Sequence, residues 1–183
     1  MNLGHALIFG GTGMLAGATK WVAEHATHAT AFGRNEQRLH RLEQTSAALG
    51  TRQLDYTDSE QLEQEVQRAY DKFGPIHTVV AWIHGTAPGA RSLIVEQIDR
   101  MQADVWQLVT VRGSSHDVQQ IKKEQNIVSE QCRFIDIQLG FIYDGRVSRW
   151  LTHDEISAGV IRGIKDQQAV SVVGTLEPWD ERP

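Results

Sequence analysis

The sequence predicts an α/β fold, a largely parallel sheet with helices on both faces. Three features predict it. Short apolar runs alternate with longer segments of helical period along the chain, and a glycine-rich turn joins the first run to the first helical segment. The gaps between runs have the length of helical crossovers rather than of hairpins. Strands connected in that way run parallel and need cover on both sides.

"HALIFGG" is the first strand, and the helix after it carries Leu15, Trp21 and Val22 on its apolar side. "HATAFGR" is a weaker second strand, leading to a helix from Asn35 with Leu39, Leu42 and Leu49 on one side. "TRQLDY" is the third. Asp58 is a good N-cap with Gln61 three residues on, and the helix it opens aligns Leu62, Val66, Ala69, Tyr70 and Phe73 in one buried stripe.

"IHTVVAWIHG" is the fourth strand and the strongest buried one; after Pro88 a helix turns Leu93, Ile94, Ile98 and Met101 inward. "VWQLVTVRG" makes the fifth strand, followed by a helix with Val118, Ile121, Gln125 and Val128 in line. "RFIDIQLGFIY" is the sixth. Thr152 and Glu155 form a capping box for the next helix, with Leu151 and Ile156 as its hydrophobic staple. "AVSVVG" is the seventh strand and "TLEPWDERP" a C-terminal tail. In open parallel sheets ligands sit beyond the carboxyl ends of the strands, so functional residues are sought there.

The bulk properties narrow the function. A chain of 183 residues reads as one domain over residues 1–183, and 40% apolar and 22% charged residues describe a soluble globular protein. The net charge of −5 gives no electrostatic case for nucleic acid or for an anionic membrane. No apolar run approaches the roughly 18 to 20 residues that span a bilayer. "MNLGHALIF" lacks the basic start and cleavage site of a signal peptide, so a cytoplasmic location is expected. Cys132, the one cysteine, sits in a strand-like run and is expected to be a buried, inert thiol.

The glycine turn is the most informative stretch. Gly11-Thr12-Gly13-Met14-Leu15-Ala16 fits G-x-G-x-x-G/A between a strand and a helix, the fingerprint of Rossmann dinucleotide-binding domains. The first glycine permits the tight turn, the second lets a pyrophosphate approach the backbone, and the small third residue lets helix and strand pack closely. Unpaired N–H groups at the helix start then face the phosphates. The fold is therefore expected to be a single doubly wound Rossmann domain, with a parallel sheet of about seven strands in the order 3-2-1-4-5-6-7. An NAD site places Asp or Glu at the end of the second strand, for the ribose 2′-hydroxyl. Here that strand ends in Gly33 and Arg34, so NADP(H) is preferred, with Arg34 pairing a 2′-phosphate; NAD(H) stays open.

"ALIFGGTG", "FGRNEQRL", "QLDYTD", "FGPIHTVVAWIHG", "VRGSS" and "IQLGFI" together resemble the ordered landmarks of the short-chain dehydrogenase/reductases, from about Ala6 to Ile142. "GPIHTVVAWIHG" is similar to that family's "GPID-LVNNAG" strand, with Trp82-Ile83-His84-Gly85 in place of the asparagine motif. The resemblance implies that Asp55 bonds the adenine amino group, that Gly85 lies along the cofactor, and that Gly140, Phe141 and Ile142 lie near the nicotinamide. The expected cofactor contacts are thus Gly10, Gly11, Thr12, Gly13, Met14 and Leu15 at the turn, then Arg34, Asp55 with its neighbour Tyr56, Gly85, Gly140, Phe141 and Ile142.

The family's chemistry relies on a serine and a Tyr-x-x-x-Lys helix. Ser114 and Ser115 fall where the serine belongs, but the next helix, "HDVQQIKKEQNIV", holds Lys122 and Lys123 with Val118 and Gln119 four residues before them. The tyrosine is missing. Three readings follow. His84, His116 or Tyr143 supplies the proton instead, a histidine near pKa 6.5 being a competent acid; water protonates a conjugated or flavin-like acceptor while the protein sets hydride geometry; or nothing is catalysed and the site senses NADP(H). Ser114 or Ser115 also suits a helix N-cap. Trp150 falls where the resemblance puts the border of the substrate cleft. His153, Asp154 and Glu155 point in different directions on a helix, so no metal is expected.

The expected function is an atypical short-chain, NADP(H)-dependent oxidoreductase. It would pass hydride to a small conjugated or aromatic acceptor, with His84, Ser114 and Tyr143 as the catalytic candidates. The alternative is a catalytically silent NADP(H)-binding sensor. Its partner is a small-molecule substrate, and a homodimer is possible at family level.

Overall fold

Strand β1 (His5–Phe9) buries all five of its side chains, which only the middle of a sheet covered on both faces allows. In the computed structural model, which describes residues 1–113 and 129–183, β1 pairs in parallel with β2 (His28–Gly33) on one side. On its other side it pairs in parallel with β4 (Ile76–Ala81). With β3 (Leu49–Gln53), β5 (Trp106–Arg112), β6 (Cys132–Leu139) and β9 (Val170–Val173), the seven-stranded sheet has the order β3-β2-β1-β4-β5-β6-β9. The seventh position is filled by the run predicted for it. It is ninth in chain order because β7 (Phe141–Tyr143) and β8 (Ser148–Trp150) form a separate antiparallel hairpin.

Alternate side chains of each strand feed two cores. Ala6 and Ile8 pack with Val22 of α1 (Ala16–His25), Leu42 of α2 (Glu36–Glu43) and Val160 of α5 (His153–Asp166). Leu7 and Phe9 pack with Val66 of α3 (Ser59–Phe73) and Ile94 of α4 (Ala90–Met101). The sheet is therefore doubly wound, as the sequence predicts. Asn35, Asp58 and Thr152 cap α2, α3 and α5 through bonds from the amides of Arg38, Gln61 and Glu155, and the Thr152–Glu155 box is complete.

Two boundaries differ from expectation. Leu49 belongs to β3 rather than to the second helix: α2 stops at Glu43, Thr45 N–H turns back to the Leu42 carbonyl, and Leu49 pairs with Ala29. The turn-forming polar run Gln44-Thr45-Ser46 is the physical reason. The predicted sixth strand breaks at Gly140, where the chain leaves the sheet. Phe141 and Thr175 exchange backbone hydrogen bonds of 2.9 and 2.8 Å, and a Cβ on Gly140 would strike the Thr175 carbonyl. The predicted helix carrying Val118, Ile121, Gln125 and Val128 lies outside the described residues, as do Ser114, Ser115, His116, Lys122 and Lys123.

Cys132 is buried, and burial pushes its thiol up to about 12, so no thiolate forms at neutral pH. Among the described residues no helix is long and apolar enough to cross a membrane.

At the amino end of the sheet His5, 3% exposed, bonds the Gly74 carbonyl through Nδ1 at 2.9 Å, while its buried Nε2 has no hydrogen-bond partner among the described residues. Burial, then the neighbouring His77, holds its pKa below the usual value; burial, His5 and Lys72 do the same for His28. Below about pH 6.5 the unfolded chain therefore binds more protons than the folded one, and stability falls as pH falls toward the folded values. The unfolding free energy from urea titrations between pH 7.5 and 5.5 should drop by up to about 1.4 kcal/mol per pH unit for each such histidine. His5→Gln should flatten the profile; an equally steep one would assign the effect elsewhere.

Candidate functional site

Because the seven strands are parallel, their carboxyl ends lie along one edge. Gly10, Arg34, Leu54, Trp82, Gly113 and Gly140 all leave the sheet there.

At the glycine turn the conformational demand falls on Gly10 rather than on Gly11. Gly10 has φ +76°, and a Cβ there would strike the Trp82 carbonyl oxygen. Gly11 serves packing: a Cβ on it would meet the Thr19 hydroxyl and Ile8, and Thr19 Oγ1 donates to its carbonyl at 3.1 Å. Gly13 is the open position, since among the described residues a Cβ there would have nothing within 4 Å. Thr12 lies beside Gly33, Met14 is partly exposed, and Leu15 is buried in the core. Ser157 of α5 donates to the Met14 carbonyl at 3.1 Å and faces Gly17, which fixes the start of α1 against α5.

The first turn of α1 has no capping side chain and no acid. Ala16 N–H is taken by the Gly13 carbonyl at 3.0 Å, and the positive end of the helix dipole lies beside this turn, an arrangement that suits an anion.

Beyond β2, Arg34 is exposed, and Gln53 Nε2 holds its carbonyl at 3.1 Å. Asp55 folds into an Asx turn, its Oδ1 accepting from the Thr57 amide at 3.0 Å and hydroxyl at 2.7 Å. These bonds, with Arg34 nearby, lower its pKa, and among the described residues Oδ2 accepts no side-chain bond. Tyr56 is buried in the α3–α4 core.

After β4, Trp82 packs on the core and meets the exposed His84 ring edge-on at 5.6 Å, and Gly85 faces open space. Phe141 is fully buried with both backbone groups taken by Thr175, whereas Ile142 and Tyr143 on β7 are partly exposed. Trp150, across the hairpin from Phe141, is 49% exposed. Glycine turn, Arg34, Asp55, His84 and Gly85 thus share the carboxyl edge. Tyr56 and Phe141 point into the interior.

Arg112, the last residue of β5, and Asp136 on β6 form an ion pair with both side chains 0% exposed, through Arg112 Nε and Asp136 Oδ1. Thr110 Oγ1 donates to the same oxygen at 2.6 Å. The signal was present: Thr110, Arg112, Asp136 and Gln138 are polar residues of one parity on adjacent apolar strands.

No family model and no curated protein matches the sequence. The fold does match solved structures. A double-mutant short-chain dehydrogenase/reductase from Serratia marcescens superposes with a TM-score of 0.73 at 12% identity, over 94% of this chain and 98% of that one. A short-chain type dehydrogenase/reductase from Mycobacterium ulcerans gives 0.72 at 14%, over 95% and 89%. YwfH, an NADPH-dependent reductase involved in bacilysin biosynthesis, gives 0.75 at 11%, over 93% and 99%. The chain has the doubly wound fold of the short-chain dehydrogenase/reductase structures along nearly its whole length.

Proposed function

We propose that the protein is an NADP(H)-dependent oxidoreductase of an atypical short-chain type, reducing a small conjugated or aromatic acceptor. The observation that carries this is the turn after β1: a left-handed Gly10, an open Gly13 and an uncapped α1 together form a cradle for a diphosphate. Asp55 Oδ2 is available to an adenine amino group. Arg34, with no acid at the end of β2, suits a 2′-phosphate. NADPH, when bound, supplies the hydride.

His84 is the first candidate for the proton, being exposed at the end of β4 with its ring set by Trp82. Tyr143 is the second, partly exposed beyond β6. Ser114 would hold the acceptor's oxygen. The missing Tyr-x-x-x-Lys pair favours acceptors whose reduced form is stabilised by conjugation, because these need less help with protonation. The same gap in the sequence supports a second reading, a silent NADP(H) sensor.

Mixing the purified protein with NADPH and a panel of quinones, flavins and enones separates the two. Loss of nicotinamide absorbance that is abolished in His84→Ala supports the enzyme; tight binding without turnover supports the sensor. For coenzyme choice, Arg34→Ala should weaken NADPH about ten- to hundredfold and leave NADH unchanged, as loss of charge-assisted bonds to a phosphate demands. An unchanged NADPH/NADH ratio by calorimetry would remove Arg34 from the 2′-phosphate.

A further inference from the structure

Along the face of the sheet covered by α3, β2, β3 and α3 enclose a cleft of about 250 Å³ that runs from His28 to Phe32. Its floor is one face of the β2–β3 ladder, where Thr30 pairs with Gly50 and Phe32 with Arg52. The missing side chain at Gly50 opens it: a Cβ there would reach His28 only at 3.6 Å, ordinary contact, with the cleft beyond. The wall is the face of α3 that carries Arg68, Ala69 and Lys72. At one end the rings of His28 and Phe73 stack with centroids 3.5 Å apart, and Lys72 Nζ stands 4.9 Å from the Phe73 centroid.

The rim is charged asymmetrically. Glu65, its side chain 10% exposed, accepts from Arg52 at 2.9 and 3.0 Å and from Arg68 at 2.7 Å, so two guanidinium groups share one carboxylate. Lys72 adds a further positive charge. Glu43 stands on the rim, its carboxylate accepting the Thr51 amide at 3.3 Å. Three cations thus meet two carboxylates around a floor opened at Gly50 and closed at one end by the His28–Phe73 stack. A neutral apolar ligand would leave the surplus charge unanswered, and a bare anion would leave the floor and the ring stack wet.

We propose that this cleft binds a small planar ring bearing one carboxylate, the ring over Gly50 and against the His28–Phe73 stack, the carboxylate toward Lys72 and Arg68. The assignment shares no residue with the coenzyme site and does not rest on it. A two-ring acid of about a dozen non-hydrogen atoms should bind with a Kd on the order of 1 mM or tighter.

The probe is indole-3-carboxylate, titrated into the isotope-labelled full chain and followed by amide NMR, with indole and inorganic phosphate as the two half-ligands. Saturable shifts are expected at the Thr30, Gly50 and Ala69 amides, with each half-ligand at least about tenfold weaker. Gly50→Leu, which fills the floor, should weaken the acid at least about tenfold. The surface change Arg68→Gln should weaken it about fivefold or more without altering the thermal midpoint, and it decides the matter if Gly50→Leu folds poorly. The proposal is overturned if no saturable binding occurs, if phosphate alone binds as tightly as the acid, if the shifts map to the carboxyl-edge loops, or if Arg68→Gln leaves the affinity unchanged.

Discussion

Asp136→Ala is expected to lower the folding stability by ~3–5 kcal/mol, the cost of leaving one partner of a buried ion pair without the other. Neither side chain reaches solvent, so water cannot take the place of the lost carboxylate without the sheet opening. The change also costs the Thr110 hydroxyl its short 2.6 Å bond, leaving it only the Ile135 carbonyl at 3.4 Å, and loses the 3.4 Å bond from Gln138. Against a total of about 5–15 kcal/mol, such a loss leaves the variant close to unfolding at physiological temperature. Asp136→Leu combined with Arg112→Met should be more stable than Asp136→Ala alone, because it removes both buried charges rather than one. Urea unfolding at constant m-value reads both differences. A loss below about 1 kcal/mol in the single variant would mean that Arg112 is satisfied without Asp136.

This pair marks the limit of what the sequence makes legible. The sheet order is readable because every parallel strand must be apolar on both faces and must be followed by a crossover, and β1, β4 and β5 are written that way. Helix starts are readable wherever one side chain does the capping, as at Asn35, Asp58 and Thr152. Boundaries set by distant contacts are not. The break at Gly140 depends on Thr175, and the end of α2 depends on Leu49 pairing with Ala29.

The same limit applies within the site. The presence of a phosphate cradle can be read from the spacing of its glycines, but the division of labour among them depends on neighbours far along the chain. Trp82 forbids a side chain at Gly10, and Thr19 forbids one at Gly11. Asp55 and Tyr56 are adjacent, yet one ends in an Asx turn at the surface and the other in the core, because side chains alternate about the chain as it leaves β3. The Gly50 cleft carried only a faint sign, a glycine inside a strand.

Gly13→Leu should separate folding from coenzyme binding. Among the described residues a Cβ at Gly13 meets nothing within 4 Å and the residue does not have a positive φ, so a side chain can start there without backbone strain. Its stability should stay within about 0.5 kcal/mol of the parent. A diphosphate seated on the amides of the turn would meet the new side chain directly, and NADPH affinity should fall by at least ~100-fold. Gly10→Ala is the converse case. Its left-handed φ and the Trp82 carbonyl make it costly to the fold whether or not a nucleotide is present. Calorimetric titration with NADPH, beside thermal unfolding of the same samples, distinguishes the two. If Gly13→Leu binds NADPH as the parent does, the uncapped start of α1 serves something other than a diphosphate, and the oxidoreductase and sensor readings fall together.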